Sequence, residues 1–208
     1  MMTVSFKNPI KNFIVLEGLD GCGTTTQTAL LVKKLEEGGI PAVSTNEPTS
    51  GSIGRFIRSI LQCKEKVDPF TLALLFSADR NEHVYGKNGI AEQAAAGKKV
   101  ICDRYLFSSL AYQSLFMDFE TVADLNQFYP LPEYLFYIDL SPEECQKRMA
   151  ARGEDAELFE KLELQKKIEA NYKKSLALLS DTAMKTVVID GRGSKQDIHR
   201  QICEVLKI

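Results

Sequence analysis

Three glycines, a run of hydroxyls and one missing cation mark the first place in this chain where chemistry could occur. In Glu17-Gly-Leu-Asp-Gly-Cys-Gly-Thr-Thr-Thr-Gln27, the glycines Gly18, Gly21 and Gly23 follow an apolar run and precede a helical pattern. Backbone N–H groups in such a turn converge on an anion, and the helix N-terminus adds partial positive charge. The spacing fits the phosphate-loop pattern G-x-x-x-x-G-K-[ST], with Gly18 and Gly23 as its glycines and Thr25 as the hydroxyl that meets Mg2+. The lysine position holds Thr24. A strand-to-helix turn that needs glycine for tight packing and binds nothing would use the same residues, so the remaining chain must decide.

Other reactive residues follow in order. Glu47-Pro48 stands after a short apolar run, where a carboxylate could hold a metal-bound water or an arginine, or simply close a turn. Phe76 and Arg80 are four residues apart, on one face of a helix. Together they could read a flat heterocycle, the ring by stacking and the guanidinium by its donors; equally, Phe76 could be core and Arg80 a surface ion-pair partner. Val100-Ile-Cys-Asp-Arg-Tyr105 ends an apolar run in a carboxylate, Asp103, of the kind that holds Mg2+, with Arg104 directly after it. Ser108, Ser109, Tyr112 and Gln113 come next, and the spacing of Ser108 and Tyr112 gives them one helix face. Arg148 and Arg152 lie one turn apart before Gly153. They could close over a transferring phosphate or merely complement a helix C-terminus. The charged, core-poor segment at about 148–160 has the character of a lid.

The elements that must position these groups are legible as alternating patterns. Apolar runs at 13–16, 42–45, 100–102, 135–138 and 186–189 are short, and each is followed by a helical pattern. This alternation predicts βαβ units around a parallel sheet, with ligands outside the carboxyl ends of the strands. Helices are expected from Thr24 to about Glu37, after Asp68-Pro69, after Ser141-Pro142, and at 160–180 and 195–206, the last two as packing elements. With 208 residues, the chain can bury a full core in one domain. A formal net charge of −2 gives no support for a nucleic-acid or membrane surface. No apolar run approaches the ~20 residues of a membrane span. The first eleven residues lack the apolar stretch of a secretory leader. Five scattered cysteines without a C-x-x-C spacing and only two histidines argue against zinc, disulfides and a histidine triad. The expectation is a cytoplasmic protein.

Taken in order, the glycine loop, Glu47-Pro48, Phe76-Ser-Ala-Asp-Arg80, Asp103-Arg-Tyr105 with Ser108 and Tyr112-Gln113, and Arg148 with Arg152 make a set that resembles the thymidylate kinases. The resemblance runs over about residues 13–172. It implies a P-loop, nucleoside-monophosphate-kinase-like α/β fold in three layers: a five-stranded parallel sheet flanked by helices, with a short lid, in a single domain. It implies phosphoryl transfer from ATP to dTMP, giving dTDP and ADP on the way to dTTP, with Mg2+ and in a homodimer.

Roles follow from the same resemblance. The loop Gly18, Leu19, Asp20, Gly21, Cys22, Gly23, Thr24, Thr25 and Thr26 would bind ATP. Thr25 and Asp103 would share the Mg2+ shell. Phe76 would stack on thymine and Arg80 would donate to its O4. Ser108 and Ser109 would line the base edge, with Gln113 close by and Glu47 on the substrate side. Arg104 would hold the dTMP phosphate, helped by Arg58. Tyr112 would pack beneath the deoxyribose and leave no room for a 2′-hydroxyl. Asp20 would accept from the 3′-hydroxyl or orient the phosphate, and Arg148 and Arg152 would be lid arginines. The ATP half departs from the pattern: Thr24 replaces the lysine, Gly21 stands where some members carry arginine, and Leu158 stands near a common lid arginine. A non-catalytic nucleotide-binding protein, or a kinase of another nucleoside monophosphate, therefore stays open at this point.

Overall fold

The computed structural model describes residues 6–151 and 161–208. In chain order the elements are β1 (Lys7–Gly18), α1 (Thr24–Glu37), β2 (Ala42–Asn46), α2 (Ser52–Leu61), α3 (Pro69–Tyr85), α4 (Ile90–Ala95), β3 (Lys99–Asp103) and α5 (Leu106–Tyr112). A short 3-10 turn leads on to α6 (Phe119–Asn126), β4 (Pro130–Asp139), α7 (Pro142–Ala150), α8 (Leu162–Leu178), β5 (Lys185–Asp190) and α9 (Lys195–Leu206). The five strands form one sheet in the order β2-β3-β1-β4-β5, every pair parallel. The alternation of apolar runs with helices thus gives the parallel α/β sheet that it implied.

The apolar runs form the centre of that sheet. Phe13, Ile14, Val15 and Leu16 are almost wholly buried, as are Val100, Ile101, Cys102, Leu135, Phe136 and Ile138. Burial on both faces explains why these strands read as unbroken hydrophobic stretches and do not alternate. Each such Leu, Ile or Phe contributes about 1.5–3 kcal/mol relative to exposure. Two strands extend beyond their apolar runs. β1 begins at Lys7 and β4 at Pro130, paired irregularly as Lys7↔Pro130 and Ile10↔Pro132 with register shifts. Asn12 sits in this stretch at φ 70° and donates its N–H to Glu133 Oε2 at 2.8 Å.

Strand register brings the reactive residues to one edge. Leu16 pairs with Asp103, Asn46 with Asp103, and Gly18 with Ile138, so the ends of β1, β2 and β3 converge. Helix starts differ in a telling way. Asp68 caps α3 through Phe70 N–H, Ser141 caps α7 through Glu144 N–H, and Ser194 with Asp197 closes α9 by a capping box. The start of α1 faces the strand ends and has no side-chain cap, its N-cap being Gly23 at φ 108°. A helix start without a side-chain cap is one that can receive an anion. α8 is more than the packing element expected of it. Packed on α5 and tied to it by Asn171 Nδ2 donating to Ala111 O at 2.9 Å, it carries Gln165 and Tyr172 to the same edge.

Candidate active site

A cleft of about 560 Å3 opens at the carboxyl ends of the strands. Its walls bring together residues from across the chain: Asp20 and Thr25 from the glycine loop and α1, Glu47 after β2, and Arg58 from α2. Phe76 and Arg80 come from α3, Asp103 and Arg104 from the end of β3, and Ser108, Tyr112 and Gln113 from α5 and the turn after it.

The loop approaches its neighbours closely. A Cβ at Gly21 would lie 2.8 Å from Cys145 O and 2.9 Å from Met149 Cγ, and the residue sits at φ 87°. Only glycine lets α7 pack this near the loop. Leu19 and Cys22 turn their side chains into the core, so only their backbones can meet a ligand. Burial pushes the Cys22 thiol up to about 12, which keeps it inert. Thr24, in the lysine position, is only 5% exposed, and its hydroxyl carries no charge. Two guanidinium groups touch the loop instead. Arg104 Nη1 donates to Gly18 O at 2.9 Å, and Arg148 Nη1 donates to Cys22 O at 3.4 Å while its Nη2 donates to Gly191 O at 2.8 Å. Arg152, and the lid segment beyond residue 151, lie outside the described residues.

Arg104 is held in an uncommon conformation. Its φ is 68°, a region few non-glycine residues adopt. Two hydrogen bonds pin the turn: Arg104 N–H to Leu16 O at 3.0 Å and Tyr105 N–H to Glu17 Oε1 at 2.7 Å. The guanidinium then reaches Asp20 Oδ1 at 2.6 Å, Tyr172 Oη at 3.1 Å and Ser108 Oγ at 3.2 Å. Asp20 also accepts from the Tyr112 hydroxyl at 2.8 Å and from Gln165 Nε2 at 3.1 Å. Glu17 is wholly buried behind this group and accepts from Tyr105 N–H, Ser108 N–H, the Ser108 hydroxyl and the Tyr172 hydroxyl. Burial pushes its carboxyl up to about 7, against the opposing pull of Arg104 and these donors.

Metal chemistry fits the strand-end pair. Thr25 Oγ1 donates to Asp103 Oδ2 at 2.5 Å, while Asp103 Oδ1 is buried without a hydrogen-bond partner. One hydroxyl and one carboxylate are hard oxygen donors of the kind Mg2+ takes, with phosphate and water completing its shell. Among the described residues no cluster of three or more histidine, cysteine, aspartate or glutamate side chains could hold a metal by itself.

At the other end of the cleft Arg80 is 1% exposed and fully engaged on one side. Its Nε and Nη2 donate to Glu47 Oε2 at 2.9 and 2.6 Å, Nη2 donates to Ser109 Oγ at 3.0 Å, and Nη1 donates to Asn126 Oδ1. Ser109, expected along the base edge, therefore stands behind Arg80 and not on the cleft wall. The reason is helical geometry: Ser108 and Tyr112 share the cleft face, and a one-residue step turns Ser109 about 100° away. Gln113 is 5% exposed with Oε1 unpartnered, leaving an acceptor in the wall. Arg58 donates to Pro48 O and Thr49 O, bracing the loop after β2.

The fold adds Glu17, His83, Asn126, Gln165 and Tyr172 to the residues that line or brace the site. Glu17 carried a signal, being a carboxylate at the end of an apolar run beside the glycines. Gln165 and Tyr172 carried one too, being seven apart on one helix face. His83 and Asn126 carried none, because only the tertiary fold brings them to Glu47 and Arg80.

Comparison with known proteins points one way. The family model described as thymidylate kinase matches residues 16–202. A Treponema pallidum (strain Nichols) protein named as a thymidylate kinase is 40% identical over 202 residues, covering 96% of this chain and 97% of its own. Similarly named proteins of Pyrococcus abyssi (strain GE5 / Orsay) and Pyrococcus horikoshii are 39% and 38% identical, each over 94% of this chain and 95% of theirs.

Proposed function

The chain belongs to the thymidylate kinase family, and from that premise we propose how its cleft performs the transfer of a phosphoryl group from ATP to dTMP, giving dTDP and ADP. The observation that carries this reading is the meeting, in one cleft, of an uncapped glycine-loop helix with the Arg104–Asp20–Tyr112 group and with Phe76, Arg80 and Gln113.

Phosphoryl transfer asks for in-line positioning and charge stabilisation, with little covalent work from the protein. The N–H groups of Gly21 to Thr26 would cradle the ATP phosphates. Arg104, held by Asp20, would bind the dTMP phosphate, with Arg58 nearby. Phe76 would stack on thymine, Arg80 would donate to O4, and the free Gln113 acceptor suits the N3–H. Tyr112, over which the Arg104 guanidinium lies at 5.4 Å, would support the sugar. Thr25 and Asp103 would hold Mg2+, which when bound neutralises charge on the phosphate oxygens. Arg148 would supply cationic charge beside the loop, together with Arg152.

A cytoplasmic homodimer belongs to the same reading. Phe56, Phe70 and Leu74 are 43–46% exposed on α2 and α3, an apolar surface that suits a second copy. Among the described residues no helix is long and apolar enough to cross a membrane. The test of the reading is coupled ADP release with dTMP, dUMP, dCMP, dGMP and thymidine as acceptors. The expected outcome is dTMP as the preferred acceptor. No ADP with dTMP would favour a non-catalytic nucleotide-binding protein, and preference for another acceptor would reassign the cleft.

A further inference from the structure

Behind Arg80 lies a half-buried relay that the transfer reaction does not itself use. His83 Nδ1 meets Glu47 Oε1 at 2.9 Å, and His83 Nε2 meets Thr45 Oγ1 at 2.5 Å. A neutral ring with its proton on Nδ1 satisfies both contacts, donating to the carboxylate and accepting from the threonine hydroxyl. Glu47 is divided between two partners: Oε1 takes His83, and Oε2 takes both Nε and Nη2 of Arg80. Among the described residues His83 is the only side chain on Oε1. Without it the carboxylate could turn about its last torsion and offer either oxygen to the guanidinium.

The consequence falls on the donors left to Arg80. A guanidinium has five N–H groups. Two go to Glu47, one to Ser109 and one to Asn126, whose amide is fixed by Nδ2 donating to Val122 O at 2.7 Å. One Nη1 hydrogen remains. A single donor at a fixed place donates to a carbonyl oxygen and opposes an amino group, because two donors cannot pair.

We propose that His83 is a positioning residue for base selectivity: by fixing Glu47 it aims the one spare N–H of Arg80, so that the cleft favours a pyrimidine with a carbonyl at C4 over one with an amino group there. The inference rests on the reading of Arg80 as the group that meets thymine O4.

The experiment is steady-state kinetics with dTMP and dCMP on the parent, His83→Phe, His83→Gln and Thr45→Val. His83→Phe keeps a ring and loses both hydrogen bonds. It should lower the ratio of kcat/KM for dTMP over dCMP about tenfold, the effect of one charged contact. The loss should fall on the KM for dTMP, while the KM for ATP and saturated kcat move less than about twofold. His83→Gln keeps a donor for Glu47 and an acceptor for Thr45, and should recover most of the ratio. Thr45→Val removes only the hydroxyl that orients the ring, and should lower the ratio about threefold. Should His83→Phe fail to fold, His83→Gln and Thr45→Val still decide the matter. An unchanged ratio in folded variants would overturn the proposal, as would equal loss of dTMP affinity, ATP affinity and kcat without rescue by glutamine. A parent that does not phosphorylate dTMP would overturn the reading of the cleft itself, and would be seen before any variant is made.

Discussion

Replacing Arg148 by alanine should expose how this loop manages without its lysine. The ammonium of a phosphate loop neutralises oxygens as charge redistributes in transfer, a task any well-placed cation can share. Here Thr24 is buried, and Arg148, on α7, reaches the loop through Cys22 O while its other nitrogen donates to Gly191 O. Losing one hydrogen-bonded charge costs about 1.5–3 kcal/mol. At ~1.4 kcal/mol per factor of ten, kcat should fall about 10- to 100-fold. Thr24→Lys in the parent should raise kcat only a few-fold if Arg148 already supplies cationic charge beside the loop. In the Arg148→Ala background the same change should recover about tenfold, because groups sharing one task are non-additive. Steady-state ADP release on the four proteins completes the cycle. Full kcat in Arg148→Ala, or an identical effect of Thr24→Lys in both backgrounds, would refute the argument.

Three further outcomes are expected. Between pH ~4.5 and ~7 the Glu17 carboxyl, raised by burial to about 7 from an ordinary 4.5, keeps its proton in the folded chain, the Ser108 or Tyr172 hydroxyl turning to accept it, where the unfolded chain has lost it. Stability should therefore be greatest below pH ~4.5 in this respect and fall by about 3 kcal/mol as pH rises through ~7; urea midpoints at pH 5 and pH 8 measure it, and Glu17→Gln should flatten the slope. Arg80→Ala should raise the KM for dTMP well above any change for ATP, and also cost stability by leaving the buried Glu47 without its cationic partner, with His83 alone on Oε1; equal weakening of both substrates would make Arg80 purely structural. Tyr112→Ala should erode discrimination between dTMP and its ribonucleotide, whereas Tyr112→Phe should keep it; competition kinetics with the two monophosphates separates these outcomes.

Much of this architecture could be read from the chain because the parallel sheet writes itself as apolar runs. Phe13 to Leu16 and Val100 to Cys102 had to be strands buried on both faces, and the residues just past them had to meet. The outer parts of β1 and β4 are not legible as strands because Pro9, Pro130 and Pro132 interrupt the apolar pattern and their pairing is irregular. In the cleft, residues at strand ends or on one helix turn were legible, as with Asp103, Arg104, Ser108 and Tyr112. What escaped was support. The left-handed backbone of Arg104 depends on Glu17, far away in sequence. His83 and Asn126 matter only because α3 and α6 fold onto the same arginine. Ser109 differs from its expected place by a single helical step.

The central claim is that one cleft joins ATP phosphates to a dTMP phosphate. Incubation with ATP labelled on its γ-phosphate, followed by separation of the products, tests it most directly. The account predicts label in dTDP, in equal amount to the ADP formed. Label in inorganic phosphate alone, or no label leaving ATP in the presence of dTMP, would contradict it.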